Sequence, residues 1–325
     1  MNLDIKTLMR VRQALREAVR GWIYDPNVRL IDFGWPEHGG TVVEDQLAIR
    51  VHVAEKIKQG PALEAATQKG ITRGQIPGTI GGFPVDVPQG AYRLHGWWDP
   101  PVPPPAPPRA RRSEPMRGGI SVANGRIRGY ATLGGMVIDR ETGAKMILSN
   151  WHVLVGLWHA RPGWPIYQPA QGDGGTAADT VATLSRDAMA ANLDAAVAEL
   201  TGARTLINDQ FDLAPVKGVD WAEPGMAVIK SGRASGITRG RVAGVEGTAR
   251  MSYSGVRRLI RNVITIDPRD ALSQVSTGGD SGSFWLEEET MNVVGLHFAG
   301  SDRPERALAI DMQPILDALK VNIAA

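Results

Sequence analysis

The sequence predicts an α/β N-terminal portion followed by a larger, mostly β domain. Three observations carry this reading. The first 95 or so residues mix one helical apolar period with strand-like runs, prolines cluster between Asp99 and Pro115, and short apolar strands with glycine-rich turns follow Gly118. The chain has 325 residues, of which 43% are hydrophobic and 22% charged. That balance excludes disorder throughout and leaves apolar material for more than one core.

Within the N-terminal portion, Leu8, Val11, Leu15 and Ala18 recur at three- and four-residue spacing, which places them on one face of a helix from Ile5 to Val19. Lys6, Arg10, Arg12, Arg16 and Arg20 fall on the other face and read as a solvated surface. Val28 to Phe33 reads as a strand. Leu47 to Val53 alternates and reads as a half-buried strand, with Ala48, Arg50 and His52 pointing to solvent. Leu63 to Lys69 predicts a short helix and Phe83 to Val87 another strand. Together these predict an open α/β sandwich over residues 1–97.

Eight of the 22 prolines lie in DPPVPPPAPPRARRSEP, a composition that favours extended polyproline II structure over a packed element. Residues 98–117 are therefore expected to be a linker. Its basic end, Arg109, Arg111 and Arg112, reads as a solubilising tract, with a processing site or a proline-rich ligand for a partner's groove as alternatives. Residues 118–325 predict the mostly β domain, with one late helix from Met312 to Leu319 and no repeat of solenoid period.

Several classes of chemistry are excluded early. There is no cysteine, so disulfides, thiolate nucleophiles and Cys-bound metals are ruled out. Lys plus Arg total 36 against 34 Asp plus Glu, a net charge of +2, which does not predict nucleic acid as the partner. Arg239, Arg241, Arg250, Arg257, Arg258 and Arg261 are interleaved with glycine and apolar residues rather than stacking aromatics. No phosphate-binding GxxxxGKS loop, no GxGxxG after a strand and no HExxH pair is present, so neither cofactor nor metal is implied. No run of about 18 apolar residues crosses a bilayer, and the charged N-terminus lacks an apolar signal core. A cytoplasmic protein without membrane contact is the expectation.

Three segments of the β-rich half carry chemistry: ILSNWHVL with His152, ANLDAAVAEL with Asp194 and STGGDSGSFW with Ser281. A serine hydroxyl needs an imidazole to take its proton and a carboxylate to fix that imidazole's tautomer. Gly278, Gly279 and Gly282 permit the tight turn that aims backbone N–H groups at a developing oxyanion. Each residue has an ordinary alternative: a glycine-rich turn for Ser281, a core histidine for His152 and a capping or surface carboxylate for Asp194. Their joint occurrence in one half favours catalysis.

These segments resemble the chymotrypsin-type, trypsin-like serine peptidases, with GDSGS where that family usually has GDSGG, over roughly residues 120 to 320. The resemblance implies two six-stranded β-barrels with the site between them, Ser281 as nucleophile, His152 as base and then acid, Asp194 as orienting carboxylate, and the Gly279 and Ser281 amides as oxyanion hole. It also places Val275 near the floor of the pocket for the residue before the scissile bond, Gly300 on its wall and His297 beside it. A neutral floor implies a preference for small or medium apolar side chains, because burying an unpaired cation costs several kcal/mol, roughly. LAIRVHVAEK, IPGTIGGFPVDV and QPAQGDGG resemble, more finely, a bacterial group related to the plant narrow-leaf trypsin-like proteins. That implies an intracellular protease with an added α/β domain and room for a homo-oligomer or a regulatory partner on that domain. Digestive proenzymes pair a freed N-terminus with the carboxylate before the nucleophile, here Asp280; internal donors are the expectation for this chain, with cleavage near Arg112 as the alternative. Against the peptidase, which takes a protein or peptide substrate, stands a catalytically silent, protease-like binding module.

Overall fold

The computed structural model describes residues 3–38, 41–44, 46–95, 108–270 and 273–325. Most of the expected linker, residues 98–107, lies outside the described residues. Helix α1 (Ile5–Trp22) starts where the Asp4 carboxylate accepts the Lys6 and Thr7 amides, and it buries Val11, Ala14, Leu15 and Ala18. That face covers strands β1 (Val28–Gly34) and β2 (Ala48–Val53), which pair antiparallel with Ile31 opposite Val51. A short helix α2 (Pro61–Gln68), strand β3 (Phe83–Asp86) parallel to β2, and the two-residue strand β4 (Arg93–Leu94) follow.

The next strands build an open eight-stranded sheet. Its main members are β5 (Ser121–Asn124), β6 (Gly135–Asp139), β7 (Lys145–Ser149), β8 (Pro165–Tyr167), β9 (Thr180–Asp187) and β10 (Ala196–Leu200). A two-residue strand at Ala131–Thr132 forms one edge. A one-turn helix α3 (Trp151–Leu154) leaves the end of β7.

The remaining strands form a closed ring of six. These are β11 (Ala227–Gly232), β12 (Gly236–Tyr253), β13 (Val256–Pro268), β14 (Phe284–Glu287), β15 (Asn292–Asp302) and β16 (Glu305–Asp311). They pair in the order β11-β14-β15-β16-β13-β12, and β12 pairs back onto β11. Helix α4 (Met312–Leu319), as predicted, buries Ile315, Leu316 and Leu319, and strand β17 (Val321–Ile323) then adds to the edge of the first sheet beside β6. The expected double six-stranded barrel is thus one closed barrel and one open eight-stranded sheet.

The open α/β sandwich expected over residues 1–97 is corrected, because its strands continue the barrel's sheet. Strand β12 is 18 residues long; its first third zips to β11, and beyond it Leu30 and Phe33 of β1 pair with Ala249 and Val245. Residues from α1, β1 and β2 share one apolar core with Val242, Ile264, Ile266 and Trp285 of the barrel. The half-buried reading of Leu47 to Val53 is corrected too, because β2 is buried on both faces. Its polar face is an ion-paired cluster: Arg50 Nε lies 2.9 Å from Asp32 Oδ1, and Arg50 Nη2 donates to Thr265 at 2.7 Å. His52, expected on the surface, is fully buried against Asp32 and Tyr92. Paired charges give a buried face the same alternation as a wet one.

Candidate active site

Strands β7 and β10 are antiparallel neighbours with Ser149 opposite Ala196, so residues just past the end of one and just before the start of the other are brought together. Those residues are His152 and Asp194. Asp194 is fully buried, and its Oδ2 accepts from His152 Nδ1 at 2.6 Å while Oδ1 accepts the His152 backbone N–H at 3.1 Å. The Tyr253 hydroxyl donates to Oδ2 at 2.9 Å. Burial, together with the Asp194 charge, raises the Tyr253 pKa well above its ordinary value, so this hydroxyl stays a donor. A carboxylate only accepts, so the neutral imidazole carries its proton on Nδ1 and its lone pair on Nε2. Asn150 Nδ2 also donates to the Asp194 carbonyl at 2.8 Å, joining the two strand ends.

Ser281 lies on the loop leading into β14. The structure joins this loop to the first sheet through Thr132, whose N–H donates to the Ser281 carbonyl at 2.8 Å and whose hydroxyl donates to the Gly279 carbonyl at 2.8 Å. Gly279 and Gly282 have φ of 102° and 96°, where a side chain is strained. A Cβ at Gly282 would collide with the Thr132 carbonyl and with the hydroxyl of Ser149, three residues before His152. Gly278 has open space and no such backbone. The Ser281 hydroxyl is buried and donates to the Phe298 carbonyl at 3.2 Å.

Asp280 is held inside the chain. Lys230 Nζ lies 2.9 Å from its Oδ2, which also accepts from the Ser235 hydroxyl at 2.6 Å and the Thr277 N–H at 3.0 Å. Oδ1 accepts the Ala234 and Ser235 amides, each at 3.0 Å. Burial pushes the Asp280 carboxyl up, but the Lys230 ammonium and the Ser235 hydroxyl outweigh it and hold it below the usual carboxylate range. No freed N-terminus is needed to satisfy this acid.

The residues expected around the specificity pocket separate into two groups. His297 is fully buried, with Nε2 3.2 Å from His95 Nδ1 and Nδ1 accepting from Trp285 Nε1 at 3.4 Å. Gly300 lies against the His95 ring, which a Cβ there would strike. Val275 instead packs in the barrel core; Glu305 Oε1 accepts its N–H at 2.9 Å and that of Ser276 at 3.2 Å. Gly279 N–H, the predicted oxyanion donor, donates to the His95 carbonyl at 2.9 Å. Sequence reasoning missed Lys230, Tyr253, Thr132 and His95. Only Lys230 left a signal, a lone lysine in the strand AVIKSG. Among the described residues, no group of three or more His, Asp or Glu is arranged to hold a metal ion. Among them, too, no helix is long and apolar enough to cross a membrane.

No family model and no curated protein matches the chain. Among solved structures it is similar to a Nocardiopsis protease at 18% identity, over 65% of this chain and 99% of that one, with a TM-score of 0.49. It is also similar to a Cellulomonas bogoriensis chymotrypsin at 18% identity, over 64% of this chain and 97% of that one, TM-score 0.47. The active form of the Rv3671c protease from M. tuberculosis is 19% identical over 70% of this chain and 94% of that one, TM-score 0.40.

Proposed function

We propose that the chain is a trypsin-like serine endopeptidase working through His152, Asp194 and Ser281. The observation that carries this reading is the buried His152–Asp194 hydrogen bond at 2.6 Å, together with a serine loop of positive-φ glycines that docks through Thr132 on the same sheet. In the proposed mechanism His152 Nε2 takes the Ser281 proton as Oγ attacks the substrate carbonyl carbon. Asp194 stabilises the imidazolium that forms. The Gly279 and Ser281 amides receive the oxyanion, a term worth about 3 kcal/mol per donor in related acyl transfers. The imidazolium protonates the leaving amine, and water attacks the acyl-enzyme by the reverse sequence. Asp280, fixed by Lys230, keeps the loop in register.

The proposal includes a preference for small or medium apolar side chains before the scissile bond. In its support, burial holds His297 well below its ordinary pKa, so no charge on that ring awaits a partner. Cytoplasmic location and a protein or peptide substrate belong to the same reading. The division into 1–97, 98–117 and 118–325 is kept as a division of chain segments. Light scattering on the purified protein tests for a homo-oligomer. The Ser281–Phe298 hydrogen bond is what favours the alternative, a silent binding module. The test is hydrolysis of a diverse peptide pool. Cleavage by the wild type and its loss in Ser281→Ala supports the peptidase, and no cleavage by either supports the module.

A further inference from the structure

Three arginines stand side by side across three adjacent strands. Where β1 pairs with β12, Leu30 is opposite Ala249 and Ile31 opposite Thr248, so the next pair outward is Arg29 and Arg250. Where β12 pairs with β13, Arg250 is opposite Leu259 and Ser252 opposite Arg257. Cross-strand partners share a sheet face and successive residues alternate, so Arg29, Arg250 and Arg257 project from one face, with Arg257 diagonal to Arg250. The contacts agree, since Arg29 Nη1 and Arg250 Nη2 both donate to the Pro26 carbonyl, at 2.6 and 3.1 Å. Among the described residues, Arg29 and Arg250 donate only to main-chain carbonyls, those of Ile23, Pro26 and Val28, and no carboxylate forms an ion pair with either or with Arg257.

Like charges directly opposite each other destabilise a sheet. Asp25, the acid whose charge acts on Arg29 and Arg250, is buried and spends its oxygens on its own surroundings. Its Oδ1 accepts the Asn27 N–H at 2.8 Å, and its Oδ2 accepts the Thr72 hydroxyl at 2.9 Å and the Arg73 N–H at 2.6 Å. Burial and then the Arg257 charge lower the Arg29 pKa; burial and then the charges of Arg29 and Arg257 lower that of Arg250. The three cations therefore feel one another, and an anion would relieve their repulsion. One carboxylate matches one guanidinium fork, whereas a phosphomonoester brings about two charges and three acceptor oxygens, enough for guanidinium groups on adjacent strands.

We propose that Arg29, Arg250 and Arg257 bind the phosphate of a phosphoserine or phosphothreonine on a peptide. The hairpin of β12 and β13 that carries two of these arginines also carries Tyr253, whose hydroxyl donates to Asp194 at 2.9 Å. An anion held at Arg250 and Arg257 is thus on the arm that touches the proposed catalytic pair, and a peptide is what that pair acts on. That the bound peptide is a substrate rests on the peptidase reading above; the binding itself does not.

The test is fluorescence anisotropy of a labelled alanine-rich heptapeptide carrying one phosphoserine, beside its unphosphorylated counterpart, on full-length Ser281→Ala so that neither peptide is cut. The phosphate is expected to tighten binding by about tenfold or more, and Arg250→Gln and Arg257→Gln are each expected to remove that gain. Arg257 is exposed and holds no main-chain carbonyl, so Arg257→Gln gives a reading even where Arg250→Gln fails to fold. Equal binding of the two peptides, or an undiminished gain in Arg257→Gln, overturns the proposal. Inorganic phosphate or a single-stranded oligodeoxynucleotide that displaces the phosphopeptide at equal phosphate concentration overturns the assignment to a peptide. Cleavage of the diverse peptide pool by wild type with no phosphate gain in binding overturns this site and leaves the peptidase standing. A phosphate gain with no cleavage does the reverse.

Discussion

Lys230→Met removes the ammonium that faces Asp280 while keeping most of the side chain's volume. Both partners are fully buried and 2.9 Å apart. Removing one member of such a pair costs about 3–5 kcal/mol, because the remaining charge stays out of water. Asp280 keeps the Ser235 hydroxyl and three backbone amides, which places the cost near the lower end, about 3 kcal/mol. In a chain of this size that is a melting shift of roughly 4 °C. The loop bearing Gly279 and Ser281 loses its fixed point, so kcat/KM on a peptide substrate falls at least about tenfold, since small misplacements are costly in acyl transfer. Adding Asp280→Asn removes the stranded charge, and the double variant is expected to be about 2 kcal/mol more stable than the sum of the single changes predicts. Chemical denaturation with a double-mutant cycle reads the stability cost and the coupling, a thermal melt reads the shift, and initial rates on the peptide read the change in kcat/KM. Lys230→Met melting within about 1 °C of wild type, or strictly additive single effects, would refute the assignment of Lys230 as the internal partner of Asp280.

Other outcomes follow from the same geometry. Tyr253→Phe deletes one donor to the Asp194 carboxylate, so stability should fall by about 1–2 kcal/mol and kcat/KM by about tenfold with the fold intact by circular dichroism; an unchanged rate would remove Tyr253 from the positioning of the pair. Burial lowers His52 and His95 to about 4 and depresses His297, so between pH 7 and 5 the unfolded chain binds protons that the native state does not. Each histidine then takes away up to about 1.4 kcal/mol per pH unit on acidification. Burial, with the Glu246 charge, pushes Asp311 up to about 8, and this group has the opposite slope, stabilising as pH falls. Asp311→Asn should therefore raise stability at pH 7 and steepen the loss toward pH 5 by about 1.4 kcal/mol per unit, measured by denaturant titration at each pH; an unchanged slope contradicts a neutral Asp311. In a peptide library, cleavage after Arg or Lys should be about 100-fold slower than after small apolar residues, and dominant cleavage after Arg would overturn the neutral pocket.

Much of this arrangement was legible in residue patterns, for reasons that differ by element. The period of Leu8, Val11, Leu15 and Ala18 located α1 because a helix that buries one stripe must repeat that way. The late helix was read correctly on the same ground. His152 and Asp194 were named from their segments, and the structure brings them into contact because β7 and β10 are neighbours. Their neighbours were less visible. Tyr253 comes from the far end of β12 and lies 59 positions from Asp194 in sequence, a separation that no local pattern spans. His52 was misread because Asp32 and Arg50 supply, inside the protein, the polar face that alternation assigns to water. The N-terminal segment was read as an α/β sandwich of its own because its strands are ordinary; what joins them to the barrel is the length of β12, which outruns β11 and leaves an edge for β1. His95 offered nothing locally, since its place depends on pairing with β15 about 200 positions away in sequence.

The central claim is that Ser281 is a nucleophile activated by the imidazole of His152. Its most direct test is site mapping of a fluorophosphonate adduct by peptide mass spectrometry, on wild type and His152→Ala. A single adduct on Ser281 in the wild type, lost in His152→Ala, is the predicted result. An adduct elsewhere, or one on Ser281 that forms equally fast without the imidazole, would contradict it.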